Sequence, residues 1–430
     1  MAIDSSKPLI TICAFDKPGI IGGPVSWLLW LMPALIERGF RIRCLVYMHL
    51  GEGPLINFLD ENGIEYSKTI NPLTTEDSIR WTLEQLKAKP TDIFFPNVVT
   101  SAYYACRWIR KAGIATVGIL HSDHAYCDGL QEEFVAGKKS HRLTGMVGVS
   151  RELEQQLTNC KTRDTSVYRI PYGAPVVDQF VAPPHGKFRI AFFGRLVTEQ
   201  KRIQDLARAF CRTVKQLPSV EAIIYGDGPE KAEVAAILAK EGSGLSVYLG
   251  GAVPSQQVQD KMRESHVIVL LSDYEGLPIA IMEAMACGCV PVCRYNKSGI
   301  PELIEDGVNG FILDDAPDAL PKAIQQLVND PVLWQKFSNE SRDKIRREYT
   351  KDIGADLWAE TFRDQIKHWR RPGNISIPCW ISLPAENDKL NNAGQREKLI
   401  ATFLKRRIVR SRMFAGKIKR MFLHQSKQES

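Results

Sequence analysis

SDYEGLPIAIMEAMACGCVPV, residues 272–292, lies between two apolar runs of strand length, His266-Val-Ile-Val-Leu-Leu271 and Val290-Pro-Val-Cys293. Pro278 to Ala286 reads as a helix. Proline suits a first helical turn, where its missing N–H would lack a partner anyway. Gly288 marks the helix end and hands the chain to the next strand. The unit is strand, glycine-bearing loop, helix, strand. In open parallel sheets, ligands bind beyond the carboxyl ends of such strands, and helix N-termini face any anion.

Glu275 falls in the loop and Glu283 in the helix, close enough to line one crevice. Between them, Gly276-Leu277-Pro278 brings backbone amides to the same place. Carboxylates accept hydrogen bonds from hydroxyls, and free amides donate to phosphate or sugar oxygens, so this combination suits a sugar nucleotide. Taken alone, a Glu-x7-Glu spacing is a weak signal and fits a solvated surface better.

The whole run EGLPIAIMEAMACGCVPV, followed by GIPELIEDGVNGFIL, resembles the donor-site signature of the retaining glycosyltransferases of family 4, which have the GT-B fold. Resemblance extends over about residues 9–370 and is densest from Ile190 to Leu313. It implies transfer of a glycosyl group from a nucleoside diphosphate sugar, with Glu283 on the ribose hydroxyls and Glu275 on the sugar hydroxyls. It also implies no required metal and no cofactor beyond the donor itself.

Phe193-Gly-Arg-Leu-Val-Thr-Glu-Gln-Lys201 follows a strand and precedes a helix. Gly194 lets backbone approach a ligand. Arg195 and Lys201 set two cations where a diphosphate leaving group would gather charge. An exposed basic loop is the plain alternative. The family pattern gives Arg195 and Lys201 the phosphate role, although the gap here is one residue longer and Arg202 stands where glycine is common.

Further positions come from the same resemblance. Gly22 and Gly23, in the loop after the first strand, match a glycine loop that closes over donor phosphates or acceptor. Gly226, Gly228 and Val253 lie in strand-end loops used around the nucleotide. His121 ends a strand on the cleft side, as does a family histidine beside the transferred sugar, and a structural histidine is its rival reading. His121, Asp123, His124 and Cys127 match no standard metal spacing, so no metal site is expected. Ser298 replaces a glycine, and Pro171-Tyr-Gly173 stands where Pro-Asn-Gly is usual, which reads as tolerated variation in a turn.

Strand and helix signals alternate from Pro8 to Ile170 and again from Phe188 onward, which predicts two doubly wound α/β units facing across a cleft. The expected divisions are 1–180 as the acceptor-side domain and 187–348 as the donor domain. Residues 349–371 form a helix returning to the first domain, and 372–430 an irregular segment with a basic tail. In the first unit a helix is expected from Val25 to Arg38, kinked at Pro33.

The chain has 430 residues, 44% hydrophobic and 24% charged, an ordinary balance for a globular protein. Its ten cysteines form no C-x-x-C pair, which fits reduced thiols in a cytoplasmic setting. Leu9 to Phe15 is too short for a secretory leader, and Trp27 to Ile36 too short to span a bilayer. From Asn391 onward, eleven Lys and Arg face two Glu, so the tail holds +9 and the remainder −2 of the net +7. Arg396 to Leu423 places Ile400, Phe403, Leu404, Ile408 and Phe414 on one helical face, with basic residues on the others. Such a helix fits an anionic membrane surface or a protein partner. No recognised nucleic-acid module accompanies it. The expected partners are therefore a nucleotide-sugar donor and a glycan or lipid-linked acceptor. A sugar-nucleotide epimerase of the same fold and a non-catalytic binding protein are the alternatives.

Overall fold

The computed structural model describes residues 6–18, 23–48, 51–70, 72, 74–369, 373–384 and 387–390. Two parallel sheets organise them. The first comprises β1 (Leu9–Asp16), β2 (Arg41–Met48), β3 (Glu65–Ile70), β4 (Ile93–Phe95), β5 (Ala115–Leu120), β6 (Gly145–Gly148) and β7 (Ser166–Arg169). Its order is β3-β2-β1-β4-β5-β6-β7. The second comprises β8 (Phe188–Phe193), β9 (Val220–Tyr225), β10 (Val247–Gly251), β11 (Val267–Leu270), β12 (Val290–Arg294) and β13 (Phe311–Leu313), ordered β10-β9-β8-β11-β12-β13.

The central strands are mostly apolar because helices cover both faces. Ile10, Ile12, Val117, Ile190, Phe192 and Val269 are all buried. Each order reverses beside its first strand, the switch point at which open parallel sheets bind ligands. In the second sheet the switch lies between β8 and β11, so the loops after these two strands, 194–202 and 271–278, stand side by side.

The first helix, Gly23–Glu37, runs through Pro33 and buries Trp27, Leu28, Leu31, Met32 and Leu35. Helix Lys351–Trp369 returns from the second unit and packs on the first. Its Trp358 meets Trp27 with ring centroids 5.5 Å apart and Phe95 at 5.3 Å. Arg38 fastens the exposed side through Asp356 at 2.7 Å and Asp352 at 3.2 Å. The two chain crossings between the units touch each other. The amide of Ala174 donates to the Tyr349 carbonyl at 2.8 Å, and the Lys351 amide returns a bond to Ala174 at 3.0 Å. A Cβ on Gly173 would lie 2.4 Å from the Lys351 Cα, so this crossing needs glycine.

After the returning helix, residues 373–384 and 387–390 lie along the first unit. Ile375, Ile381 and Leu390 are buried, and Leu390 packs over Gly129, where a Cβ would come within 2.9 Å of it. The irregular segment expected there is thus a strap on the domain surface. The basic tail, 391–430, lies outside the described residues.

Candidate active site

Helix Ile279–Ala286 begins one residue later than the sequence reading, with Pro278 as its N-cap. The amides of Ile279 and Ala280 open its first turn, where intrahelical acceptors are lacking. Glu275 stands just ahead of this turn, 6% exposed. Lys201 ends the short helix Thr198–Lys201, and its Nζ lies 2.5 Å from Glu275 Oε1. Two residues 74 apart in sequence therefore meet as an ion pair at the switch point of the second sheet.

The pairing is braced from both sides. The Asp273 amide donates to the Gln200 carbonyl at 2.9 Å, and Gln200 Nε2 donates to the Tyr274 carbonyl at 3.2 Å. Arg202 sits immediately after Lys201 in the left-handed region, φ 48° and ψ 43°, which explains why glycine is common at this position. Its guanidinium bonds Asp205 at 3.0 Å and Asp315 at 2.8 Å, so it is spent on the surface. Lys201, and not Arg202, is the cation that reaches the crevice. Arg195 is exposed, and among the described residues its side chain has no ion-pair partner.

Glu283 lies on the second turn of its helix. Among the described residues its carboxylate makes no hydrogen bond or ion pair, and burial raises its pKa, partly offset by Lys351. A carboxylate half withdrawn from water with no protein partner is well placed to accept from hydroxyl or amide donors of a ligand.

The loop also reaches the first unit. The Asp123 amide donates to the Glu275 carbonyl at 3.0 Å. Gly276 presses against the end of β5, so closely that a Cβ there would lie 2.1 Å from the His121 carbonyl oxygen. Leu277 and Pro278 are buried behind it. Tyr274 stacks on His124 with centroids 5.5 Å apart and planes 17° from parallel. Ser298, the replaced glycine, uses its hydroxyl on the Gly276 carbonyl at 3.0 Å and on Ser150 Oγ at 2.8 Å, bridging the units. Glu302 adds Arg169 at 2.8 Å.

His121 follows β5 where Gly276 of the second unit packs against it, and both of its ring nitrogens are engaged within the protein. Nε2 meets Asn97 Oδ1 at 2.7 Å and Nδ1 meets the Tyr172 hydroxyl. Burial, and then His124 nearby, push its pKa down to about 3, so the ring is neutral at physiological pH.

The remaining predicted positions divide into two groups. Gly226 and Gly228 pack the β9 loop onto the β8 loop. A Cβ on Gly226 would meet the Gly194 carbonyl oxygen at 1.8 Å, and one on Gly228 the Leu196 carbonyl oxygen at 2.4 Å. These glycines shape the floor beneath Gly194 and Arg195. Val253, after β10, is half-buried beside this floor, where Phe193 stacks on Tyr225 at 4.7 Å. Gly23 opens the first helix with free space around it, and Gly22 lies outside the described residues. His121, Asp123, His124 and Cys127 do not gather. Among the described residues no three His, Cys, Asp or Glu are grouped to hold a metal ion.

Sequence reasoning missed Tyr172, Asn97, Gln200 and Tyr274. Tyr172 was the one with a signal, since it departs from the usual Pro-Asn-Gly. The tyrosine is 5% exposed and bonded to His121, so it is a built contact and not a tolerated turn variant.

Comparison with known proteins agrees with this geometry. The model of the glycosyl transferases group 1 matches residues 177–347. The chain is 34% identical over 184 residues to the amylovoran biosynthesis glycosyltransferase AmsK of Erwinia amylovora, covering 41% of this chain and 44% of that protein. It is 28% identical over 173 residues to the N-acetyl-alpha-D-glucosaminyl L-malate synthase of Bacillus anthracis, covering 39% and 43%. The matched stretch spans less than half the length of these curated relatives. Among solved structures, Anabaena HepE in complex with UDP and glucose superposes with a TM-score of 0.66 at 17% identity, covering 83% of this chain and 99% of that one. The pneumococcal O-GlcNAc transferase GtfA in complex with UDP and GlcNAc gives 0.67 at 13% identity, covering 84% and 99%.

Proposed function

We propose that the chain, whose residues 177–347 match the model of the glycosyl transferases group 1 and whose fold is shared with the solved GT-B structures, is a retaining transferase. It moves a glycosyl group from a nucleoside diphosphate sugar to a glycan or lipid-linked acceptor. The observation that carries this reading is the half-buried Glu283, without a partner among the described residues, on the helix whose N-terminus opens beside the Lys201–Glu275 pair.

Each group then has a task. Glu283 accepts hydrogen bonds from the ribose hydroxyls, and its lost hydration is made good by the donor. The diphosphate lies over the first turn of helix Ile279–Ala286, where backbone amides and the helix dipole favour an anion. Lys201 transfers its ammonium from Glu275 toward the β-phosphate, and Arg195 adds the second cation from the β8 loop. Glu275, released from that pair, accepts from hydroxyls of the transferred sugar.

As the anomeric C–O bond breaks, its electron pair goes to the diphosphate oxygen, and the fixed cations stabilise the charge that develops there. The acceptor hydroxyl attacks from the same face, giving retention, and passes its proton to that oxygen. No side chain is assigned as a covalent nucleophile. Lys201, Arg195 and the helix amides fill the role a divalent cation has in other transferases, so transfer should persist in EDTA.

The test is product analysis by NMR with a panel of nucleoside diphosphate sugars and glycan or lipid-linked acceptors. A product with the donor's anomeric configuration supports the reading. An inverted product overturns retention, and an epimerised sugar nucleotide formed without acceptor would make the chain an epimerase.

No helix among the described residues is long and apolar enough to cross a membrane. We assign the basic tail to an anionic membrane surface at the cytoplasmic face, where a lipid-linked acceptor would be met. Liposome flotation unchanged by truncation after Arg371 would remove that assignment.

A further inference from the structure

We infer that Tyr172 is a positioning residue. From the segment joining the two units, its hydroxyl donates to His121 Nδ1 and holds the imidazole in the neutral Nε2–H form at the mouth of the cleft. The inference rests on the reading of the β5 end as the side of the transferred sugar.

Asn97 presents Oδ1 to His121 Nε2 at 2.7 Å, so that nitrogen carries the proton. Nδ1 is then an acceptor, and the Tyr172 hydroxyl is the donor that meets it. Tyr172 is fully able to fill that role, because burial raises its pKa well above the usual phenol range.

The ring is also fixed in orientation. Its plane lies 14° from that of Tyr172, and Trp27 approaches edge-on with centroids 5.5 Å apart. Asn97 is buried with φ 50°, a left-handed conformation that asparagine tolerates better than most residues. A backbone held in this sparsely populated region fixes where the amide points.

What distinguishes Tyr172 from an ordinary core contact is its place in the chain. Its neighbours Gly173 and Ala174 form the outgoing crossing between the units, bonded to Tyr349 and Lys351 of the return crossing. The hydroxyl that sets the His121 proton is thus carried by the segment that joins the two units. The His121 carbonyl, two bonds from its Cα, is where Gly276 of the donor loop docks. Crossing segment, histidine and donor loop form one contiguous contact.

The experiment is long-range 1H–15N NMR of the imidazoles in the full chain, wild type against Tyr172→Phe, together with donor kinetics on both. Phenylalanine keeps the ring, its stacking and the Trp27 contact, and removes only the hydroxyl. The wild type should show His121 as the Nε2–H tautomer with a hydrogen-bonded Nδ1. In Tyr172→Phe the Nδ1 resonance should move to the value of an unbonded ring nitrogen. Turnover should drop roughly tenfold, the scale of one lost hydrogen bond, with the donor KM within about twofold.

A wild-type Nδ1–H tautomer overturns the inference even if Tyr172→Phe does not fold. So does an unshifted His121 Nδ1 resonance in the variant. A shifted resonance with unchanged turnover also overturns it, since the contact would then be structural only. If the wild type transfers no sugar from any donor, the functional reading fails, while the tautomer still tests the hydrogen-bond geometry separately.

Discussion

Lys201 and Glu275 are each other's partner in the structure, and the proposed mechanism gives each a second partner on the donor. Glu275→Gln and Lys201→Ala should each lower kcat/KM by roughly 10²- to 10³-fold, the cost of removing one preorganised charge from a charge-developing site. Because they meet, the double variant should lose far less than the product of the single losses, which a double-mutant cycle reads directly. His121 gives a different prediction. Its pKa is depressed to about 3 and that of His266 to about 4, by burial in both cases and then by His124 and Arg189 respectively. A depressed histidine contributes stability that is present above the ordinary pKa near 6.5. That contribution is lost as pH falls toward the folded value, because the unfolded chain takes up the proton first. Thermal denaturation should therefore show Tm falling between about pH 6.5 and pH 4, and His121→Gln should flatten part of that slope. The sequence named Glu275, Glu283, Lys201 and His121 through the resemblance of their motifs, and it favoured Lys201 over Arg202. The physical reason for that choice is a left-handed backbone at Arg202 and a guanidinium turned to Asp205, Asp273 and Asp315, the last two distant in sequence. The sequence reading misjudged Tyr172 because a turn residue's value depends on which side chain folding puts beside it.

Among the elements, the strand-end loops carry the tightest geometry. Gly226 has φ 143° and no room for a Cβ against the Gly194 carbonyl, so Gly226→Ala should destabilise the second unit by about 3 kcal/mol in chemical denaturation. Gly276→Ala should act differently. Its Cβ would strike the His121 carbonyl across the cleft, so each unit can stay folded while the donor loop is pushed off β5. Transfer should fall by an order of magnitude or more, with denaturation midpoints nearly unchanged. Strands such as β5, β8 and β9 were legible to the residue, because an apolar run interrupted at most by one charged residue near its start, Arg189 in β8 and Glu221 in β9, has few other meanings at this length. β3 was not. Its sequence EYSKTI pairs only with β2 and stays half in water, so no hydrophobic pattern marks it. β13 is three residues long, too short to show a period.

At the scale of the whole molecule, the two units are held in register by the returning helix, and this sets where the donor loop meets β5. Trp358 is 1% exposed among Trp27, Phe95 and Phe362. Trp358→Ala should cost about 3–5 kcal/mol in the first unit, and the lost anchor should widen the particle in small-angle scattering. The two-unit architecture was readable from the repeated alternation of strand and helix. The strap after Gly373 was not, because its three buried residues, Ile375, Ile381 and Leu390, are irregularly spaced and only an apolar cluster at Ile377 to Leu383 stood out. The central claim is that Glu283 and the first turn of its helix, Ile279–Ala286, bind the nucleotide of a glycosyl donor. It is tested most directly by calorimetric titration of UDP, GDP and ADP, with EDTA present, into the wild type and Glu283→Ala. The account predicts binding of one of the three nucleotides, weakened roughly 10- to 100-fold by the substitution, as expected for lost hydrogen bonds to a charged acceptor. Binding that Glu283→Ala leaves unchanged, or no binding of any nucleotide, would contradict it.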